Sequence, residues 1–201
     1  MNPSTSVVPL SPAADSAPIC TNVFSRWGEA MSRRVLTLQA QNMQPSERFS
    51  GHAAIARFHR CVAADIRSSA HRVMRTRSLV SADQDRYFKV MWQVSGRNRI
   101  EHRRNGITIE PGQWAIYDTA QPYTVETSDD SRFLVLLLPM SEMSRWGESG
   151  VDYVAGKVLP TRGTSEIARS ALTAMLTGGM ELEGQGAVVM QDSISALLGT
   201  A

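Results

Sequence analysis

The sequence predicts a mainly β domain with added α structure: a sandwich or small barrel followed by C-terminal helices. Three observations carry this reading. Between Val73 and Leu138, short strand-like runs recur about every ten residues, with turn signals between them. No helical periodicity separates those runs, which argues against a doubly wound α/β fold. Helical spacing returns only after Pro139.

Residues 1–22 are rich in Ser, Pro, Ala and Thr and show no periodic apolar face, so they are expected to form a flexible leader. Val23, Trp27, Met31 and Val35 then fall on one helical face, with Asn22 as the expected N-cap. Residues 36–139 read as strands. Val73–Arg77 is short and mixed. Tyr87–Val94 alternates cleanly: Phe88, Val90, Trp92 and Val94 share one face, and Tyr87, Lys89, Met91 and Gln93 share the other. Ser95-Gly96 breaks that run. Arg97–His102 follows, and Arg104-Asn105-Gly106 is the expected hairpin turn, because Asn-Gly accepts positive φ at both positions. After Ile107–Glu110 comes a turn at Pro111-Gly112. Trp114–Tyr117, Tyr123–Thr127 and Arg132–Leu138 complete the strands, the last after a turn at Ser128–Ser131. Ser141–Trp146 is a short turn. Ile167, Ala171, Leu172, Met175 and Leu176 mark a helix capped by Thr164 or Ser165 and ended by Gly178-Gly179. A second helix starts near Gly186, with Met190, Ile194, Leu197 and Leu198 on one stripe. That stripe still runs as Ala201 is reached, so the natural protein is expected to continue.

Composition narrows the class. The chain has 201 residues, 42% hydrophobic and 20% charged, which is globular and not disordered, collagen-like or coiled-coil. The longest apolar stretch, Phe133–Leu138, is strand-sized, and the first twenty residues lack a signal-peptide core, so an intracellular, cytoplasmic protein without membrane contact is expected. Cys20 and Cys61 read as two lone thiols. The cations are almost all arginine; Lys89 and Lys157 are the two lysines. From Thr164 onward the net charge is −3 against +5 for the rest, the wrong sign for a tail that reads DNA.

No catalytic constellation emerges. No two of His52, His59, His71 and His102 stand two residues apart, so the H-x-H pair of a barrel metal site is missing and no metal or cofactor is expected. Cys61, near Arg57, His59 and Arg60, reads as structural. No G-x-S-x-G, P-loop or G-x-G-x-x-G occurs. The Gly-Gly link between the last two helices is too long for a helix-turn-helix, and the second helix offers no Arg or Lys to phosphates. The tail reads instead as an association surface. What remains is a hollow: Met91 and Gln93 on one strand face, Arg75 on an earlier strand, and Trp114 or Tyr117 on a later one. Apolar walls with few polar anchors make a small-molecule pocket, and an arginine in it would favour a carboxylate.

Three stretches carry a family resemblance. They are Arg72–Arg77; Trp92–Gly96 with His102–Arg104; and Ile109–Thr119 with Gln121-Pro122-Tyr123, ending in Leu136-Leu137-Leu138-Pro139. The most specific part is the P-G-x-x-x-x-Y-D-T-x-x-P-Y run from Pro111 to Tyr123. Together they resemble the N-terminal effector-binding and dimerisation domain of AraC/XylS-type transcriptional regulators. That resemblance implies a cupin-like, jelly-roll barrel over residues 23–160 that senses a small effector. It implies a helical segment over 161–201 that pairs two chains, with Ile167, Leu172, Met175, Met190, Ile194 and Leu197 as the expected contacts. DNA would be read by a helix-turn-helix domain absent from this chain. The second reading is a small cupin-fold enzyme, an isomerase or oxygenase, and the third a bare oligomerisation module.

Overall fold

The computed structural model describes residues 17–44, 48–103, 105–146 and 156–201. Among the described residues, twelve strands form two antiparallel sheets that face each other. The larger has seven strands: β1 (Ile19–Thr21), β3 (Gly51–Phe58), β4 (Cys61–Ser68), β11 (Ser131–Pro139), β6 (Tyr87–Ser95), β9 (Gln113–Asp118) and β12 (Val158–Pro160), in that spatial order. The smaller has five: β2 (Gln39–Asn42), β5 (His71–Arg75), β10 (Tyr123–Thr127), β7 (Asn98–His102) and β8 (Asn105–Ile109). The described residues also form four α-helices: α1 (Phe24–Arg34), α2 (Arg77–Ala82), α3 (Thr164–Thr177) and α4 (Gly184–Gly199), with a 3-10 segment at Met140–Trp146.

The large sheet is buried on both faces, which is why β6, β9 and β11 are apolar almost throughout. One face meets the small sheet: Met91, Tyr117, Val135 and Leu137 pack there against Ile100, Ile109, Tyr123 and Val125. The other face meets α3 and α4: Phe88, Val90, Trp92, Trp114, Ile116 and Leu136 pack against Leu172, Met175, Ile194 and Leu198. The alternation read along Tyr87–Val94 thus separates two cores rather than core from solvent.

Several expectations need correction. Leader positions Ile19–Thr21 are an edge strand paired with β3, while residues 1–16 lie outside the described residues. Val23, not Asn22, is the N-cap of α1, and Thr21 Oγ1 accepts from the Val23 N–H at 3.0 Å. Arg77 begins α2 instead of ending a strand, because Thr76 caps it by accepting from the Leu79 N–H. The β7–β8 hairpin pairs His102 with Asn105, so Asn105-Gly106 is strand and the bend falls at Arg103, whose φ is 55°. The β3–β4 hairpin was not delimited from the sequence; it bends at His59, φ 47°, with Phe58 opposite Cys61. Gly163 precedes α3 as its cap, and Ser165 Oγ instead donates to the Arg162 carbonyl. The Pro111-Gly112 turn forms as read: the Gln113 N–H reaches the Glu110 carbonyl at 3.0 Å, and Gly112 supplies φ 80°.

The helical tail also changes meaning. Leu172, Met175 and Ile194, expected to contact a second copy, are buried in the chain's own core against the large sheet. Met190 and Leu197 are partly buried against the same core. Ile167 alone of the six is exposed, at 57%. Gln191 fastens α4 to the sheet, accepting from the Arg60 N–H and from the Cys61 thiol.

Across the opposite end of the barrel, α1 lies over the gap between the sheets. Trp27 fills it and is 1% exposed. A Cβ at Gly51 would stand 2.6 Å from the Trp27 ring, so the glycine is what lets the indole lie on β3.

Candidate ligand-binding site between the sheets

Strand register builds the site. Lys89 pairs with Tyr117 across β6 and β9, and Tyr123 pairs with Arg75 across β10 and β5. Directly paired residues project to the same face. Lys89 and Tyr117 therefore point inward from one sheet, and Tyr123 and Arg75 from the other. The two phenol rings meet edge-on across the gap, with centroids 5.0 Å apart. Lys89 Nζ lies over both, 5.8 Å from the Tyr117 centroid and 5.6 Å from that of Tyr123.

Lys89 is 5% exposed. Among the described residues it meets no carboxylate and no hydrogen-bond acceptor; the two aromatic faces are its polar company. Burial, and then the charge of Arg75, lower its pKa from 10.5 to about 8. The group is thus still mostly an ammonium at neutral pH. Arg75 carries the other cation between the sheets, and each of its three guanidinium nitrogens already has an acceptor. Nε donates to the Thr119 carbonyl at 2.8 Å, Nη1 to the Thr37 carbonyl at 3.0 Å, and Nη2 to Asp83 Oδ2 at 3.0 Å.

Beside Lys89 the interior opens into a cavity of about 40 Å³. That is room for two or three waters at ~10–15 Å³ each. Its walls are apolar: Met31 of α1 and Val35 at its C-cap, Ile66, Val73, Met91, Val125, Phe133 and Val135. Ser32, His71 and Thr127 supply the other polar groups. Burial lowers the His71 pKa and keeps the ring neutral, and the proton sits on Nδ1 because the Ser69 carbonyl, 3.0 Å away, can only accept. Thr127 donates to Asn98 Oδ1, Asn98 donates to Gln93 Oε1, and Gln93 donates to the Ser95 carbonyl, each at 2.7 Å. Burial holds the phenols of Tyr117 and Tyr123 protonated, and their hydroxyls are buried without a partner among the described residues.

Of the five residues expected in the pocket, Met91 and Tyr117 are brought together around Lys89. Gln93 is inside, but both ends of its amide are engaged. Arg75 borders the site with each of its three nitrogens bonded elsewhere, its charge matched by Asp83. Trp114 points to the opposite face, where it stacks on Trp92 with centroids 6.1 Å apart beneath the C-terminal helices. Lys89 itself is the residue that sequence reasoning missed. Its signal was present: a lysine in the middle of Tyr-Phe-Lys-Val-Met-Trp, one of two in the chain, on the Met91 and Gln93 face.

Other features are weaker sites. Among the described residues no three His, Cys, Asp or Glu side chains gather as metal ligands. Cys61 is buried and its thiol is pushed up to about 12, chiefly by burial. No helix among the described residues is long and apolar enough to cross a membrane.

Comparison with known proteins places this architecture. The AraC-binding-like domain model matches residues 27–201. The AraC-like transcriptional activator CuxR is similar in structure, with a TM-score of 0.70 over 90% of this chain and 70% of that one, at 15% identity, a likeness of fold. A curated protein of Bacillus sp. (strain OxB-1), described as "Uncharacterized protein in nit 5'region", is 23% identical over 118 residues, 59% of this chain and 45% of its own length. The match thus spans under half of that relative.

Proposed function

Because the chain belongs to the AraC-binding-like domain family, we propose that it is the effector-sensing part of a transcription regulator. A small molecule seats between the two sheets beside Lys89, under α1. The helices α3 and α4 carry occupancy to a second copy, and a DNA-binding segment outside these 201 residues reads it out.

One observation carries this reading: β6 is a wall shared by the two halves of the task. Lys89 and Met91 face the cavity, while Phe88, Val90 and Trp92, interleaved with them, face α3 and α4. A ligand that shifts β6 by a fraction of an ångström shifts the helix seat with it, since packed interiors transmit strain. The size of the response is limited by the ligand's differential affinity for the two arrangements. Pairing is assigned to the outer face of the helical layer, where Ile167 and Val189 are exposed at 57% and 52%.

Light scattering of the 201-residue chain tests the pairing, and Ile167→Asp with Val189→Asp is expected to convert a dimer to monomers. Hydrogen exchange with a bound ligand tests the coupling. Protection is expected in β6 and in both tail helices. A strict monomer at high concentration, with ligand protection confined to α1, would overturn the scheme.

A further inference from the structure

We infer that the molecule taken up between the sheets is an apolar monoanion, a carboxylate with a small hydrophobic body, whose charge pairs with Lys89 Nζ. This rests on the reading of the barrel as a ligand-sensing domain and specifies its ligand.

Charge accounting comes first. Among the described residues three cations are buried: Arg75 and Lys89 between the sheets, and Arg34 at the end of α1, where Nη1 donates to the Ala17 carbonyl at 2.7 Å. Asp83 matches Arg75 at 3.0 Å, and the Thr119 and Thr37 carbonyls accept from its other two nitrogens. Lys89 is left with no anion among the described residues, although it is among the more buried side chains of the molecule. Lysines are almost never fully buried unless paired. A methionine or leucine at this strand position would pack as well and avoid the desolvation. An unmatched interior ammonium that lines a cavity is therefore a ready site for a visiting negative charge.

The valence and the body follow. One unmatched positive charge accepts one negative charge; a dianion such as phosphate would bring a surplus charge into the same dry space. Around the ammonium, Met31, Val35, Met91, Val125 and Phe133 offer only apolar surface. Ser32, His71 and Thr127 can hydrogen-bond but carry no charge at neutral pH. A sugar or nucleotide would leave most of its hydroxyls unanswered there. A short aliphatic or aryl-substituted acid leaves none. The cavity of about 40 Å³ accepts the carboxylate group and little more, so the body of the ligand displaces Met31 and Val35 and lifts α1.

Isothermal titration of the 201-residue chain at pH 7 tests this with isovalerate, hexanoate and phenylacetate, each against its primary amide, and with inorganic phosphate. At least one acid is expected to bind at one per chain, tenfold or more tighter than its amide and than phosphate. Lys89→Met is expected to weaken the acid tenfold or more and leave its amide within threefold, with an intact melting transition showing that the variant is folded. Equal binding of acids and amides, or unchanged acid affinity in Lys89→Met, overturns the anion while leaving the sensing domain in place. Binding by neither series overturns the anion as well, and the sensing reading is then decided separately by neutral ligands.

Discussion

Replacing Lys89 by methionine is expected to make the protein more stable while removing its preference for acids. The drop in pKa from 10.5 to about 8 means that the folded state disfavours the charged lysine by about 3 kcal/mol relative to the unfolded chain. Two aromatic faces at 5.8 and 5.6 Å return on the order of 1 kcal/mol. A net gain of about 2 kcal/mol at pH 7 remains, because methionine keeps the length and apolar volume of the stem. In a chain of this size that is a rise of about 4–8 °C in Tm. The pH dependence is specific. Below pH 8 the lysine is charged in both states and the cost is fully present. Between about 8 and 10.5 the unfolded chain holds a proton that the folded wild type has released, so the penalty of this lysine fades as pH rises and the gap to the variant closes. His71 is already neutral; the phenols of Tyr117 and Tyr123 and the Cys61 thiol, held protonated by burial, lower stability as pH rises because the unfolded chain ionises them first, but they do so in both proteins and cancel in the gap. Urea denaturation at pH 7 and pH 10, both proteins side by side, reads it directly. A variant no more stable at pH 7, or a gap that does not change with pH, would refute the reasoning.

Three further outcomes follow from particular contacts. Arg75→Ala removes three hydrogen bonds, one of them the ion pair to Asp83, and should cost about 3 kcal/mol in urea unfolding yet leave acid binding within threefold, because Lys89 keeps its charge. Trp114→Ala opens the core under α3 and α4 and should cost about 3–5 kcal/mol, with hydrogen exchange rising first in the tail helices and not in β10. A thiol reagent at pH 8 should modify exposed Cys20 within minutes and leave buried Cys61, with its thiol pushed up to about 12, untouched until the chain unfolds.

Much of the fold was legible because its signals are local. Pro111-Gly112 specifies its turn from two residues, and the two-residue period of Tyr87–Val94 specifies a strand whatever lies on either side. The failures share a cause. Asn105-Gly106 has the dihedral freedom for a hairpin bend, but pairing of β7 with β8 sets the register and places the bend at Arg103. Leu172, Met175 and Ile194 show an apolar helix face without saying whether sheet or partner covers it. Trp114 and Tyr117 lie on opposite faces of β9, and sequence alternation alone does not name the inner one. Arg75 looked like an anion site by chemistry; that Thr37, Thr119 and Asp83 would each engage one of its nitrogens depends on contacts between 8 and 44 residues away in sequence.

Energy magnitudes connect the ligand proposal to regulation. Neutralising Lys89 with a bound carboxylate can release at most the roughly 3 kcal/mol that burial of the ammonium withholds. Couplings between sites typically run ~1–3 kcal/mol, so this single charge is large enough to bias a two-arrangement domain by itself. The bias has a defined place of action, because Lys89 sits between Phe88 and Val90, which seat the tail helices. An effector that gained its affinity from the apolar walls alone would bind both arrangements nearly alike and shift neither. On this account the lysine is retained at a cost in stability because the same cost makes occupancy distinguishable. Lys89→Met should then bind the amides yet fail to move hydrogen exchange in α3 and α4 when it does so. Ligand-dependent protection of those helices persisting in the variant would place the trigger elsewhere, on α1 or on the walls.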